Sequence, residues 1–365
     1  MAFLRKRTYQ DEKAASFCKQ GAKVAEARGK GAGMGRIIKA LFVLVLIALV
    51  GLLALGLSVA QPVLAQATWP SKPVKLVVGF SAGGPTDIVA RAFAEQATHD
   101  LGQPVIVDNK PGANSIIAAE AVANATDQHT FLVAATNHSM IPALYQSRVK
   151  FDAVNSYKPI CTFVVSPTVL VIGASMPTKT LAQFIQKAKA APESITYGSS
   201  GIGSSSHFAG EAFGQIAGVK MTHVPYKGSS QIVADLLGGQ LDASFATLGS
   251  VLSHAKSGKL TILAIASPKR HPQLPVVPTF EELGVPGYSA DAWYGLMAPS
   301  GITATALQAM EKSIQSYLAS PVAVEKFKAL GLDPQATCGQ AFQKLLTNDV
   351  KSYVRLAQSL GLKAE

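Results

Sequence analysis

Cysteine, charge and aromatic residues are all scarce in this sequence. Three cysteines in 365 residues, Cys18, Cys161 and Cys338, exclude a disulfide-stapled mini-domain and a cysteine-rich zinc module. None of the seven histidines forms an H-x-x-x-H pair and no HExxH occurs, so neither a metal nor a cofactor is expected. Charged residues make up 15% of the chain against 48% hydrophobic, which excludes a disordered polar chain. With 31 glycines and 20 prolines but no repeat, a coiled coil and a collagen-like fibre are excluded too. The length suits two or three compact domains.

The net charge of +11 is unevenly placed. Residues 1–40 hold ten of the 33 bases and three of the 22 acids, so the remainder carries only +4. No basic run follows Lys39, and a nucleic-acid partner, which needs clustered bases, is not expected. Residues 41–60 contain no charge and follow Arg36 and Lys39. They read as a signal peptide or a membrane anchor within a leader of residues 1–67. Ala65-Gln66-Ala67 offers a cleavage site after Ala67, a retained anchor is the alternative, and Met34 could be the natural start. The exported part would lie in an oxidising compartment. There Cys161 and Cys338 either pair or remain buried thiols.

From Thr68 onward, apolar strand patterns alternate with helical ones, which predicts an α/β protein with a mainly parallel sheet. The last stretch reads as helices only. The length exceeds one core, so two lobes are expected: residues 68–169 with 289–365, and residues 170–288. Ligands of open α/β sheets bind beyond the carboxyl ends of the strands, which puts a cleft between the lobes.

Three loops could carry its chemistry. In VVGFSAGGPTDI (77–88) a buried strand runs into two glycines and then a proline at a helix start. Free backbone N–H groups there favour an anion; an ordinary capped turn is the bland alternative. The loop YGSSGIGSSSH (197–207) is dense in glycine and hydroxyls. It matches neither the dinucleotide G-x-G-x-x-G fingerprint nor a P-loop. In HVPYKGS (223–229) Lys227 is the one cation, facing either an acid ligand or solvent. Gly79, Ser81 and Gly83 also spell the G-x-S-x-G of a hydrolase elbow. No strand of the exported part precedes this one to complete an oxyanion hole, and no histidine stands in a distinctive loop near the carboxyl end.

Six segments stand together in family order: WPSKPVKLVVGFSAGGPTDIVAR, VIVDNKPGANSIIAAEAVA, YGSSGIGSSSHFAGEAF, VPYKGSSQIVADLLGGQLD, PTFEELGVPGY and WYGLMAPSG. Over nearly all of residues 69–365 the chain resembles the Bug/TctC family of periplasmic solute-binding proteins, the receptors of tripartite tricarboxylate transporters. The resemblance implies a two-lobe type II periplasmic-binding-protein fold and no catalysis. It implies a small carboxylate held by backbone amides and hydroxyls. The first-loop contacts it implies are Phe80, Ser81, Ala82, Gly83, Gly84, Thr86 and Asp87. The facing contacts are Ser200, Gly201, Gly203 and Ser204, with Asn137, Tyr226, Lys227 and Asp291 as further candidates. His207 would support its loop. The partners implied are membrane permease subunits, and the receptor would be a monomer. NKPGANSIIAAE departs from the more glycine-rich NRPGAGG of the family. Two other readings stand beside this one: a ligand-sensing subunit for a membrane sensor kinase, and a serine hydrolase using Ser81.

Overall fold

The computed structural model describes residues 41–47, 69–285 and 291–362. The expected cleavage site, the Met34 start and most of the apolar segment lie outside them. Residues 41–47 are helical with exposed apolar side chains. Among the described residues no helix is long and apolar enough to cross a membrane.

The body opens with parallel strands. β1 (Val74–Val78) lies between β2 (Val105–Asn109) and β3 (Thr130–Ala135). β1 and β3 are apolar but for Lys75 and Thr130 because both faces of the sheet are covered there, whereas β2, at the edge, ends in Asp108 and Asn109. On one face Phe93 of α1 (Pro85–Leu101) meets Phe163 and Tyr317. On the other, α2 (Ile116–Ala123) packs with Trp293 and Phe342. A short 3-10 turn, Ala113–Ser115, precedes α2. After β3 comes α3 (Asn137–Tyr145).

β4 (Tyr157–Ile172) joins the two halves of the sheet. Its first part runs antiparallel to β9 (Asp291–Pro299) as far as the pair Pro167–Asp291. From Thr168 it pairs instead with β7 (Ala243–Thr247) on one side and β8 (Thr261–Ile265) on the other. Proline has no N–H to give a ladder, and Pro167 stands where the partner changes. The second half of the sheet is completed by β5 (Thr196–Ser199), parallel to both β7 and β6 (Thr222–Pro225). Its helices are α4 (Leu181–Ala190), α5 (Ser205–Ala217), α6 (Ser229–Leu237) and α7 (Leu248–Lys256). Phe184, Phe213, Phe245 and Phe280 fill one side of this lobe, and Leu236, Leu248 and Val251 the other.

The chain returns through β9 to the first lobe. It ends with α8 (Ala304–Ala319), α9 (Pro321–Ala329), the two-residue β10 (Asp333–Pro334) and α10 (Gly339–Leu360). Cys161 of β4 and Cys338, just before α10, form a disulfide. Tyr353 of α10 stacks edge-on against Phe208 of α5, so the last helix touches the second lobe.

The sheet is therefore not mainly parallel, contrary to the expectation from the sequence. Parallel pairing is confined to the two outer parts, and the centre, where β4 meets β9, β7 and β8, is antiparallel. β9 returns from the second lobe to the first and enters between β3 and β4, antiparallel to both. The all-helical ending is interrupted by β10, which pairs with Val164 and Val165 of β4.

Candidate functional site

A cavity of about 60 Å³ lies between the lobes, room for roughly four to six water positions, the bulk of a small acid. Five helices begin at its wall. Gly84, Pro85 and Thr86 open α1, Asn137 opens α3, Ser205 and Ser206 open α5, Ser229 opens α6, and Thr247 caps α7. First-turn amides have no acceptor within their own helix. Each helix start also carries partial positive charge. No lysine, arginine, aspartate or glutamate is found among the described residues lining the cavity. An anion here would be met by backbone and hydroxyl groups alone. Phe80, Ile232, Val233, Phe245 and Tyr294 supply the apolar walls.

The lobes meet closely. A Cβ on Gly84 would stand 3.0 Å from Ser229 Oγ, and one on Gly228 would stand 3.4 Å from the Ser81 nitrogen. Glycine at both positions lets the first loop and the start of α6 approach. Side-chain hydrogen bonds cross the cleft beside these loops. Asn114 Nδ2 donates to the Gly203 carbonyl at 2.8 Å, Tyr145 Oη to the Ile202 carbonyl at 3.0 Å, and Ser230 Oγ to the Ala82 carbonyl at 3.3 Å. Asn114 is held in the left-handed region, at φ 51°, between Ala113 and Ser115 at 45° and 73°. Asn114 and Ser115 stand where the family pattern NRPGAGG has glycine. Asparagine tolerates that conformation better than most residues.

The residues singled out from the sequence fall into three groups. Phe80, Gly84, Thr86, Asn137 and Ser200 line the cavity. Gly201, Tyr226 and Lys227 line a neighbouring cavity of about 210 Å³ that shares Phe80 and Ser200 with the first. Tyr226 Oη donates to Asp235 Oδ2 at 2.6 Å. Ser81, Ala82, Gly83, Asp87, Gly203, Ser204 and Asp291 line neither.

Asp87 is buried behind the first loop and shapes it. Its Oδ2 accepts the Gly83 N–H at 3.0 Å and Arg91 Nε at 2.9 Å, while Oδ1 accepts Asn109 Nδ2 at 2.9 Å. Burial alone would raise its pKa; the bonds from Arg91, Gly83 and Asn109 outweigh it and hold the carboxyl below its ordinary range. The Gly83 N–H is thereby committed. In the second loop the Gly203 N–H donates to His207 Nδ1 at 3.1 Å, and Ser204 caps α5 by accepting the His207 N–H at 3.3 Å. Asp291 stands at the exposed start of β9, opposite Pro167.

The His207 ring stacks on His223 with centroids 4.2 Å apart, and Ser199 Oγ lies 2.6 Å from His223 Nε2. Burial pushes both pKa values down to about 4; for His223 the neighbouring His207 adds to it. Both rings are neutral near pH 7, so His207 Nδ1 can accept.

The sequence reading missed the start of α7 as a cavity wall, and in the 223–229 loop it singled out Lys227 rather than Ser229. A signal existed for each: Gly-Ser-Ser after a short strand at 228–230, and Thr247, a preferred cap residue, after the apolar run Ala243–Ala246.

A model of the family described as the tripartite tricarboxylate transporter family receptor, TctC, matches residues 89–362. The chain is similar to Protein BugT of Bordetella pertussis, 31% identical over 320 residues that cover 87% of this chain and 98% of that one. The solved periplasmic binding protein BugD is 32% identical, with a TM-score of 0.78 over 81% of this chain and 100% of that one. An R. palustris protein solved with adipate is 29% identical, with a TM-score of 0.77 over 80% and 98% of the two chains. With its two-lobed α/β body and the cleft between the lobes, the chain belongs to the TctC family of tripartite tricarboxylate transporter receptors, which are periplasmic solute-binding proteins.

Proposed function

We propose that this receptor captures a small carboxylate in the cleft and presents it to the membrane permease subunits of a tripartite tricarboxylate-type transporter. The observation that carries the reading is the convergence of five helix starts on a cavity with no charged side chain among its described lining residues. A carboxylate is the small metabolite group that such a wall of N–H and O–H donors suits, because helix starts favour negative charge. The relative solved with adipate supports the same class. Ser205, Ser206 and Ser229 belong to the second lobe and Thr86 to the first, so only the closed form offers both donor sets. Binding then favours closure. With no full countercharge in the wall, affinity stays moderate and the acid can be released to the permease.

A thermal-shift screen of the purified chain against carboxylic acids, with their methyl esters as controls, tests this. An acid at 100 times its dissociation constant stabilises by about 2.7 kcal/mol if it binds only the folded state. A shift with an acid and none with its ester is expected. Equal shifts with both would remove the carboxylate from the reading.

A further inference from the structure

Asn137 opens α3, is only 3% exposed and lines the cavity. Its Nδ2 donates to the Asn114 main-chain carbonyl at 2.9 Å. A carbonyl can only accept, so that contact fixes which end of the amide is nitrogen. The other end, Oδ1, has no hydrogen-bond partner and is buried. A buried amide oxygen without a donor is costly, and such atoms are rare in folded proteins. Turning the amide over would set two oxygens against each other at Asn114, so the side chain cannot relieve itself.

The wall around it does not supply the donor. Ser244 Oγ donates to the Gly198 carbonyl at 2.8 Å and Ser250 Oγ to the Thr247 carbonyl at 2.7 Å. The Tyr294 hydroxyl is bonded to the Thr247 side chain. Every helix start at this wall presents donors, which suit the acid group. Asn137 Oδ1 is a buried acceptor set among them.

Building on the carboxylate reading above, we infer that the cleft selects hydroxy acids over their unsubstituted parents. The ligand's carboxylate meets the helix starts while its hydroxyl donates to Asn137 Oδ1. A cavity of about 60 Å³ holds both groups only if they are a few atoms apart, which places the hydroxyl close to the carboxylate on a compact acid. An ammonium could also donate, but it would sit beside five partially positive helix ends with no carboxylate in the wall. The neutral hydroxyl is therefore the preferred donor. Asn137 is a specificity residue in this account. Its amide also holds the Asn114 backbone, whose side chain reaches across to Gly203, so the hydroxyl lands on the residue that supports the closing contact.

Calorimetric titration of the full chain with matched pairs tests the inference: malate against succinate, lactate against propionate, and aspartate as the ammonium arm. Each hydroxy acid is expected to bind at least about tenfold more tightly than its parent, the effect of pairing one otherwise unsatisfied buried acceptor. Aspartate is expected to bind more weakly than malate. In Asn137→Ala the ratio between hydroxy acid and parent falls to about one. The ratio is internal to each protein, so partial loss of folded material does not distort it. Asn137→Leu, which keeps the side-chain volume, serves if the alanine variant does not fold. Parents that bind as tightly as hydroxy acids, or a ratio that survives both substitutions, overturn the inference while leaving the carboxylate reading intact. Aspartate binding above malate overturns the assignment of the donor as a hydroxyl. Failure of every acid to bind refutes the carboxylate reading itself.

Discussion

Closure of the cleft can be probed by one oxygen atom. Tyr145 Oη donates to the Ile202 carbonyl across the lobes at 3.0 Å, next to the Asn114–Gly203 contact at 2.8 Å. Tyr145→Phe removes that hydroxyl and leaves the ring, so packing is kept. A hydrogen bond of this kind is worth about 1 kcal/mol net, or about fivefold in an equilibrium. It exists only when the lobes are together, so its loss raises the open population and weakens binding of any ligand that needs the closed form. The whole fivefold should appear in koff, because the encounter with the open cleft does not involve the bond. Stopped-flow fluorescence with an acid found in the screen would separate the two rates. Asn114→Gly, which keeps the left-handed backbone unstrained, should act in the same direction. The two variants grip the same two-residue stretch, so the double variant should deviate from simple additivity. Unchanged koff in Tyr145→Phe, or a loss confined to kon, would refute the latch.

Acid should loosen the fold over a defined window. Burial lowers the pKa of His138, His207 and His223 to about 4, against about 6.5 in an unfolded chain. Between those values the unfolded chain takes up protons that the folded one refuses, so stability falls from about pH 6.5 down to about pH 4 and is flat above. The fully buried His138 alone contributes up to about 3 kcal/mol, and the other two add less because solvent screens them. Urea unfolding at pH 7 and pH 4.5 measures this, and equal stabilities would contradict it. The disulfide closes a loop with a sequence separation of 177 residues. Replacing Cys161 and Cys338 by alanine should destabilise by up to about 5 kcal/mol on the chain-entropy account. Both cysteines lie away from the cavity lining, so acid affinity should hold, and calorimetry on the folded variant checks that. Asp87→Ala frees the Gly83 N–H and lets the first loop relax. A drop in affinity of about tenfold or more is expected, the cost of one charged hydrogen-bond network. Unaltered affinity would show that the brace does not position the loop.

Much of this fold is legible in the sequence where one physical signal acts alone. Val74–Val78, apolar but for Lys75, runs into turn residues, Phe131–Ala135 is apolar throughout, and α10 has strong helical periodicity. The first half of β4 was hidden because Pro159, Ser166 and Pro167 interrupt its apolar pattern. Those prolines are tolerated because register shifts and the change of partner fall beside them. α3 was hidden because Pro142 lies inside it and its first turn is polar. The two glycine-rich loops were legible as binding elements because strand, turn and helix start follow in order. Which of their residues face the cavity was not. Asp87 turns inward to brace its own loop, and Gly203 gives its N–H to His207, arrangements set by tertiary contacts. The wall from α7 comes from a segment far from these loops in the chain and shares no local pattern with them.

The most direct test of the account is a crystal structure of the protein with the acid that stabilises it most. The account predicts the carboxylate in the cavity between the lobes, with its oxygens about 3 Å from main-chain N–H groups or hydroxyls at the starts of α1 and of α5 or α6. A carboxylate paired with a lysine or arginine side chain, or bound outside the cleft, would contradict it.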